Sequence, residues 1–259
     1  MRTRTAVITG ASSGIGAAIA RKLGSEGWNI ALAARRQKEL EAVASQSGRH
    51  AIAVVTDVTR RGDMDRLFEE AVKAFGQVDV WVNNAGRGIG KKVLDVTGEE
   101  LDEVLAVNLK SVLYGMQAVV PYFQERGEGH LINISSFLGR VPFVSFRSAY
   151  SAAKAAVNIL TANLRMDLRR THPGVHVSLV MPGTVMTDFA KNALGGTPAI
   201  PPGGRSPMVA QTPEEVADLV RTLIESPKAE LYTNPASPEL AARYYRDVGA
   251  FEDEMFGEK

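Results

Sequence analysis

A tyrosine and a lysine four residues apart are the pair in this chain that most directly suggests chemistry. Tyr150 and Lys154 enclose Ser-Ala-Ala, and side chains at this spacing lie on the same face of a helix. A nearby ammonium favours the phenolate and lowers the pKa of a phenol from its ordinary value of about 10. The pair therefore predicts a tyrosine that serves as acid and base near neutral pH. Because the same spacing arises by chance on many helices, the interpretation depends on the rest of the chain.

A glycine-rich segment near the start of the chain joins a short apolar strand, residues 5–9, to an alanine-rich helical run. The segment reads GASSGIG from Gly10 to Gly16. Glycines permit a tight turn and a close approach of the backbone to a ligand, and the helix start presents unpaired amides to a pyrophosphate. The pattern predicts a phosphate-binding loop.

The same segment also matches the Gly-x-Ser-x-Gly nucleophile elbow of serine hydrolases, which would make Ser12 a nucleophile. That class of enzyme takes part of its oxyanion hole from a loop upstream of the elbow. Only nine residues precede Gly10 in this chain. We therefore favour the phosphate-binding loop and keep a serine hydrolase as an alternative.

Two arginines, Arg35 and Arg36, follow the second predicted strand, residues 29–34. An acid at this position binds the ribose hydroxyl of NAD, whereas arginine accommodates the additional phosphate of NADP. The arginines also precede a helical run, 37–47, where positive charge opposes the helix dipole unless an anion binds. The sequence therefore predicts NADP(H) as the cofactor.

Apolar strands alternate with helical runs along the chain, which predicts a parallel sheet covered by helices. The predicted strands are 5–9, 29–34, 51–55, 78–82, 130–134, 176–180 and 231–233. We expect one doubly wound, Rossmann-type α/β domain over 1–259, a three-layer α/β/α sandwich with a mostly parallel seven-stranded sheet. Ligands of such sheets bind at the carboxyl edge, where Asn83-Asn84-Ala85-Gly86 and Ser135-Ser136 follow two of the strands.

The connection that leads into the helix of Tyr150 contains Phe137, Phe143 and Phe146. These rings either line an apolar pocket or pack against the core. We expect Arg140 and Arg147, in the same connection, to be solvated. Upstream of it, the longest helical run, 99–125, holds Asn108 among apolar residues, and a buried amide needs hydrogen-bond partners.

Two segments near the carboxyl end have a less regular pattern. Residues 188–211 are rich in Gly and Pro and have little periodicity, which is typical of a mobile lid over a ligand or of a surface loop. Thr212, Pro213 and Glu215 form a helix-start signature. The tail, 238–259, is predicted to be helical and amphipathic.

As a set, these motifs resemble the short-chain dehydrogenase/reductase family over about residues 5–231. Thr9-Gly10-x-x-x-Gly14-x-Gly16 is similar to the family's cofactor loop, 83–86 to its sheet-edge motif, and Tyr150-x-x-x-Lys154 to its signature. The glycine spacing is similar to that of the compact branch. The resemblance implies an NADP(H)-dependent oxidoreductase that interconverts a ketone or aldehyde and the alcohol by hydride transfer.

The resemblance further implies a function for individual residues. Tyr150 would be the general acid and base, and Ser136 would hold the carbonyl. Lys154 would bind the nicotinamide ribose and lower the pKa of Tyr150, while Asn108 would hold a water that links the lysine to solvent. Asp57 and Val58 would lie at the adenine, Asn84 near the adenosine and Thr187 by the carboxamide. The implied cofactor-binding residues are Gly10, Ser12, Ser13, Gly14, Ile15, Gly16, Arg35, Arg36, Asp57, Val58, Asn84, Tyr150, Lys154, Val185 and Thr187.

Two features depart from the family pattern. The gap between the serine and Tyr150 is one residue longer than the common spacing, which leaves Ser135 and Ser136 as alternatives. Ser136 is followed by Phe-Leu-Gly139, which matches the family's Ser-x-x-Gly continuation, so we favour Ser136. Many relatives end with a Val-Asp-Gly-Gly-like strand end that helps to build a tetramer, whereas this chain has Thr233-Asn-Pro-Ala. We expect a homo-oligomer, either a dimer or a tetramer.

Composition limits the remaining possibilities. The chain has 45% hydrophobic and 23% charged residues, which is typical of a globular protein, and its net charge of +1 gives no reason to expect nucleic acid or a membrane as a partner. With no cysteine and four scattered histidines, we expect no metal site. The start has no signal-peptide pattern and we find no membrane-spanning run, so we expect a cytoplasmic protein. As its partner we expect a small, apolar carbonyl or alcohol substrate. The alternative is a non-catalytic dinucleotide sensor, which is expected to lose members of the family's catalytic tetrad. Here the four tetrad residues implied by the resemblance, Asn108, Ser136, Tyr150 and Lys154, are all present.

Overall fold

A computed structural model describes residues 3–196 and 208–256 of the chain. The strands are β1 Thr5–Thr9, β2 Asn29–Ala34, β3 Ala51–Val55, β4 Val80–Asn83, β5 Gly129–Ile134, β6 Val175–Met181 and β7 Glu230–Tyr232. The α-helices are α1 Gly14–Ser25, α2 Gln37–Gln46, α3 Arg61–Phe75, α4 Gly98–Leu105, α5 Ser111–Arg126, α6 Ser148–Leu168, α7 Pro213–Glu225, α8 Ser237–Arg246 and α9 Val248–Phe256. Strands and helices alternate from β1 to β7, as the sequence predicts.

The strands form a seven-stranded sheet in the order β3-β2-β1-β4-β5-β6-β7, and each neighbouring pair is parallel. The order reverses between β1 and β4, where Ile8 of β1 lies opposite Leu32 on one side and Val82 on the other. In a doubly wound sheet this reversal opens a crevice at the carboxyl ends of the strands. The predicted fold class is confirmed.

Helices cover both faces of the sheet, which is why the central strands are continuous apolar runs rather than alternating ones. On one face, Ile19 of α1, Leu40 of α2 and Val220 of α7 share a buried core. On the other face, helices α3, α5 and α6 pack on the sheet through residues such as Leu67 and Val157.

The predicted helix 99–125 consists of two α-helices, α4 and α5, joined by a π-helical turn over Ala106–Lys110. By length and composition alone, with a mean hydropathy of 1.3 in its most apolar window, Gly98–Arg126 is long and apolar enough to span a membrane, in contrast to the expectation from sequence. The segment packs against α3, β4 and β5 within the fold, and 44% of its most apolar window is buried. It therefore forms part of the core here.

The C-terminal tail is helical over α8 and α9 and folds back onto the connection after β5. Leu240 and Phe251 of the tail form a buried cluster with Phe137 and Val141, and Phe143 packs against it. Two of the three phenylalanines in that connection therefore pack against the tail. The helix-start signature is also present, because Thr212 Oγ1 accepts from the Glu215 amide at 3.1 Å and the Glu215 carboxylate accepts from the Thr212 amide.

Candidate active site

The glycine segment forms the turn between β1 and α1. Gly10 and Gly14 have φ of 66° and 57°, and a Cβ on Gly16 would lie 2.5 Å from Asn84 Nδ2. The first turn of α1 has neither an acidic residue nor a side-chain cap from Ser13, whereas α4 and α7 both begin with a capping box. The first amides of α1 are thus open to an external anion, which fits the pyrophosphate of a dinucleotide.

Asn84 fixes this turn against the neighbouring strand. Its Nδ2 donates to Thr9 O at 2.9 Å, and its backbone amide donates to Thr9 Oγ1 at 3.0 Å. The side chain of Asn84 therefore binds the glycine turn directly and stabilises its conformation.

The side chain of Arg36 lies across the glycine turn. Its Nη2 donates to Ser12 Oγ and Ser13 Oγ, each at 2.9 Å. An arginine in contact with Ser12 cannot accept a proton from it, so this contact gives no support to the serine hydrolase alternative. Ile15 packs against the core behind the turn.

Arg35 and Asp57 stand together at the ends of β2 and β3. Burial raises the pKa of the Asp57 carboxyl, but hydrogen bonds from Thr59 and the charges of Arg35 and Arg60 outweigh burial and hold that pKa below its ordinary value. Asp57 therefore stays ionised and its carboxylate is held in place. Val58 is buried in the core of the second sheet face.

Tyr150 and Lys154 lie on α6 and are buried, with 8% and 2% of their surfaces exposed. Lys154 Nζ donates to Ile134 O, at the end of β5, at 2.9 Å and lies 5.8 Å from the centre of the Tyr150 ring. Gly139 lets the connection approach α6 closely, since a Cβ there would lie 2.7 Å from the Lys154 carbonyl carbon. The pair therefore sits at the carboxyl edge of the sheet.

The electrostatics of the pair differ from the expectation. Burial raises the pKa of Tyr150 to about 12, against the lowering effects of a hydrogen bond with Ser136 and the charge of Arg147. Burial also lowers the pKa of Lys154 to about 8. The prediction that Lys154 brings the tyrosine pKa below its ordinary value is wrong for this structure, because desolvation of the phenolate outweighs the nearby charge.

The two adjacent serines after β5 have different surroundings. Ser135 Oγ donates to Asn158 Oδ1 at 2.5 Å and is buried against α6. Ser136 Oγ accepts from the Leu138 amide at 3.2 Å and interacts with the Tyr150 hydroxyl. Of the two, Ser136 is the one placed beside Tyr150.

Asn108 occupies the π-helical turn and is fully buried. Its Nδ2 donates to Arg87 O and Val104 O at 2.8 and 2.9 Å, and its Oδ1 accepts from the Arg87 amide at 3.1 Å. A Cβ on Gly86 would lie 3.1 Å from Asn108 Oδ1 and 3.8 Å from Lys154 Nζ. Asn108 and Lys154 thus flank the same short segment, and Asn108 holds that segment in place.

Residues after β6 cover the site from the opposite side. Thr187 stands over the glycine turn, where a Cβ on Gly14 would lie 3.2 Å from its Cγ2, and it lines an open cleft of about 450 Å³ with Asp188. Val185 is joined to Gln211 by a short parallel pairing. The Phe189 ring packs 5.3 Å from the Tyr150 ring, centre to centre. Of the predicted lid, residues 197–207 lie outside the described residues.

Arg147 is a residue of the site that the sequence did not indicate. It was expected to be solvated, yet it is buried beside Tyr150, while Arg140 is partly buried and paired with Glu230. The available signal was the position of Arg147 three residues before Tyr150, which puts both side chains on one face of α6 if the helix begins that early.

Comparison with known proteins agrees with this geometry. A family model described as short chain dehydrogenase matches residues 4–196. An uncharacterized oxidoreductase of Staphylococcus aureus is 38% identical over 226 residues, which cover 87% of this chain and 92% of that protein.

Solved structures with the same fold hold nicotinamide dinucleotides. A short chain dehydrogenase/reductase from Burkholderia phymatum in complex with NAD superposes with a TM-score of 0.85 at 28% identity, covering 96% of this chain and 95% of that one. An alcohol dehydrogenase from the archaeon Thermococcus sibiricus, complexed with 5-hydroxy-NADP, gives a TM-score of 0.77 at 29% identity over 91% and 97% of the two chains. With its fold, its glycine turn and its Tyr150–Lys154 pair, the chain belongs to the short-chain dehydrogenase/reductase family of oxidoreductases.

Proposed function

We propose that the protein is an NADP(H)-dependent oxidoreductase that interconverts a ketone or aldehyde and the corresponding alcohol. The observation that most supports this is the grouping of Tyr150, Lys154 and Ser136 at the carboxyl edge of the sheet, next to the open amides of α1. A nicotinamide dinucleotide supplies the hydride in such a site. The chain itself supplies binding, orientation and the proton.

In the reductive direction, Tyr150 donates its phenolic proton to the carbonyl oxygen. Ser136 Oγ donates a hydrogen bond to the same oxygen, where negative charge develops. Lys154 holds the ribose of the cofactor through its ammonium group, and Asn108 keeps the segment beside Lys154 in place. The amides at the start of α1 hold the pyrophosphate.

The raised pKa of Tyr150, about 12, means that the phenol is protonated at neutral pH. A protonated phenol is ready to give a proton to a carbonyl, whereas alcohol oxidation needs the phenolate. Near pH 7 the tyrosine is therefore in the form that the reductive direction requires. Oxidation of the alcohol is expected to become faster as the pH rises.

Arg35 and Arg36 support NADP(H) over NAD(H). Both are exposed at the end of β2, where no acid stands to bind a ribose hydroxyl, and Arg36 already reaches the glycine turn. A 2′-phosphate placed there gains two charged partners. A small-molecule carbonyl substrate, a cytoplasmic location and a homo-oligomer complete the proposal.

The test of this function is NADPH oxidation, followed by absorbance, with a panel of ketones, aldehydes and acyl thioesters. We expect at least one carbonyl class to consume NADPH, with NADH much less effective. A protein that binds NADPH but oxidises it with no carbonyl would instead be a dinucleotide sensor. Labelling of Ser12 by a serine-reactive phosphonate would point to the hydrolase.

A further inference from the structure

Arg147 is a buried cation without an acidic partner. Only 8% of its surface is exposed, and its side chain makes one hydrogen bond in the described chain, from Nη1 to Ile89 O at 3.0 Å. Over residues 3–196 and 208–256 no carboxylate pairs with it. Burial lowers the pKa of the guanidinium, and the charge of Tyr150 acts in the opposite direction. The stretch 197–207 contains no Asp or Glu. A buried guanidinium left unpaired is costly, since it has five N–H donors to satisfy.

Nearby acids are engaged with other cations. Glu103 pairs with Arg87, and Glu100 pairs with Lys91 at 2.7 Å while also closing the capping box of α4. Neither carboxylate is free to neutralise Arg147. Arg147 and Lys154 are thus two buried cations beside the tyrosine with no acidic partner among the described residues, and Arg147 is the one to which the proposed mechanism gives no function.

The Arg147 guanidinium lies beside Gly88 and Phe189. A Cβ on Gly88 would lie 2.9 Å from Arg147 Nη1, 2.9 Å from the Phe189 ring and 3.3 Å from Ala193 Cβ. The Phe189 ring in turn packs on the Tyr150 ring. Arg147 and Phe189 are therefore neighbours, and Phe189 connects Arg147 to the tyrosine.

The remaining walls of this region are apolar. Ile89, Ala149 and Tyr150 belong to one buried cluster, and Phe189 and Leu194 pack against it. A fixed cation among apolar side chains suits a ligand with an anionic group, because the apolar side chains bind the carbon chain and the cation binds the charge.

We propose that the substrate carries a carboxylate that Arg147 binds, so that the enzyme acts on an oxo acid and the corresponding hydroxy acid. This inference rests on the proposed oxidoreductase function and specifies its substrate class. The guanidinium is a bidentate partner for a carboxylate. Arg147 is the N-cap of α6, three positions before Tyr150, and its charge acts on the Tyr150 phenol. A short oxo acid is able to reach both side chains.

The experiment compares oxo acids with their methyl esters, which keep the carbonyl and lose the charge. Matched 2-oxo, 3-oxo and 4-oxo pairs are assayed with NADPH, and the acid-to-ester ratio of kcat/KM is the readout. Because Arg147 also acts on Tyr150, its loss is expected to lower the turnover of the acid and of its ester alike. The acid-to-ester ratio of kcat/KM cancels that common effect. The variants are Arg147→Gln and Arg147→Lys, with Arg221→Gln as a control that removes an exposed arginine paired with Glu26 on another face of the protein.

We expect the wild-type protein to prefer at least one acid over its ester. Arg147→Gln is expected to lower that ratio roughly ten- to a hundredfold, the scale of a hydrogen-bonded charged pair. Arg147→Lys should retain part of the preference, and Arg221→Gln should keep the wild-type ratio. Calorimetric titration of the NADP⁺-bound protein with butanoate, an unreactive acid, should show binding that Arg147→Gln loses.

Two results would overturn the inference while leaving the oxidoreductase function intact. The first is reduction of neutral carbonyls by a wild-type protein that has no preference for any acid. The second is an acid preference that Arg147→Gln leaves unchanged. If Arg147→Gln does not fold, Arg147→Met, which keeps an apolar stem, takes its place. If no carbonyl in either series oxidises NADPH, the proposed function itself fails, and this inference fails with it.

Discussion

Neighbouring side chains on an extended backbone point in opposite directions, and the two serines after β5 illustrate this at the scale of single residues. Ser135 Oγ forms hydrogen bonds with Asn158 Oδ1 and Lys154 O, on the side of α6. Ser136 Oγ faces Tyr150. We therefore keep the proposal that Ser136 holds the carbonyl and that Ser135 packs against α6.

Ser136→Ala is expected to lower turnover by roughly one to three powers of ten, because a hydrogen-bond donor to the developing oxyanion is lost. Ser135→Ala should instead lower the midpoint of thermal unfolding, since Asn158 Oδ1 loses its buried partner. Steady-state kinetics and thermal unfolding of both variants separate the two effects. An inactive Ser135→Ala beside an active Ser136→Ala would reverse the assignment.

We propose that the arginines after β2 select between the two cofactors. Replacing Arg35 and Arg36 together by alanine should weaken NADPH binding far more than NADH binding, because only NADPH has a phosphate that loses charged partners. Titration of each variant with both cofactors, followed by cofactor fluorescence, measures the two affinities. Equal losses for NADPH and NADH would mean that the arginines support the glycine turn and do not select the cofactor.

Sequence patterns identified the residue types of the site better than their electrostatics. The Tyr150–Lys154 spacing and the Ser-x-x-Gly139 continuation placed three side chains that the structure brings together. The pKa of Tyr150 was predicted in the wrong direction, because desolvation depends on what the rest of the fold packs against the ring. Arg147 was missed for the same reason, since its burial comes from Ile89 and from residues after β6.

At the scale of elements, the π-helical turn between α4 and α5 is the feature that no periodicity indicated. The helical pattern of apolar residues continues through 99–125 without interruption. A π-helical turn changes the backbone hydrogen bonds but needs no particular residue types, so the sequence gives no sign of it. The turn brings Asn108 to the segment that follows β4. Such turns occur often at functional sites, and here the turn supplies a side chain for the proposed tetrad.

The segment after β6 is the element that we expect to respond to ligands. Leu194 pairs with the segment after β4, its amide donating to Gly88 O at 2.9 Å and its carbonyl accepting from the Gly90 amide at 2.7 Å. The Phe189 ring rests on Tyr150. Because this segment packs directly on Tyr150, we expect it to change position when a substrate binds there.

Hydrogen exchange over residues 187–196 tests this expectation. With cofactor alone, these amides should exchange as fast as in the free protein. With cofactor and a bound substrate analogue, their exchange should slow. Amides of β1 and β4 provide the internal control, because they belong to the buried sheet. Exchange over 187–196 that is the same in the free protein and in the ternary complex would remove the segment from the mechanism.

At the scale of the whole molecule, a buried histidine on the opposite edge of the sheet sets a limit on acid stability. His130 Nε2 lies 2.8 Å from Ser178 Oγ, and its Nδ1 is buried without a partner among the described residues. Burial and the charge of His176 lower the pKa of His130 to about 3. Protonation would place an unpaired N–H and a charge in the core.

The folded pKa of His130 lies below the unfolded value near 6.5, so the unfolded chain binds more protons between about pH 6.5 and pH 3. The free energy of unfolding therefore decreases as the pH is lowered through that window. Between pH 6.5 and pH 5 the loss from this group is on the order of 2 kcal/mol. Denaturant unfolding of wild type and His130→Asn at both pH values measures it, with His50→Gln, an exposed site, as control. A wild-type pH dependence that His130→Asn leaves unchanged would show that other groups are responsible.

The positions of the strands were predictable because buried parallel strands are continuous apolar runs, as in β1, β2 and β5, where the predicted and observed limits differ by at most one residue. The order of the strands and the reversal between β1 and β4 follow from the right-handed βαβ connection and the glycine turn. The docking of α8 and α9 onto the connection after β5 was not predictable. Its contacts, such as Leu240 with Phe137, join distant parts of the chain without a motif.

The most direct test of the proposed function compares wild type with Tyr150→Phe in NADPH oxidation by a carbonyl that the wild type reduces. Phenylalanine keeps the ring that packs against Phe189 and deletes only the proton donor. We predict that turnover falls by at least about a hundredfold, the scale of lost general acid catalysis, while NADPH binding measured by fluorescence stays close to wild type. Turnover that survives in Tyr150→Phe at near the wild-type rate would contradict the assignment of Tyr150 as the proton donor.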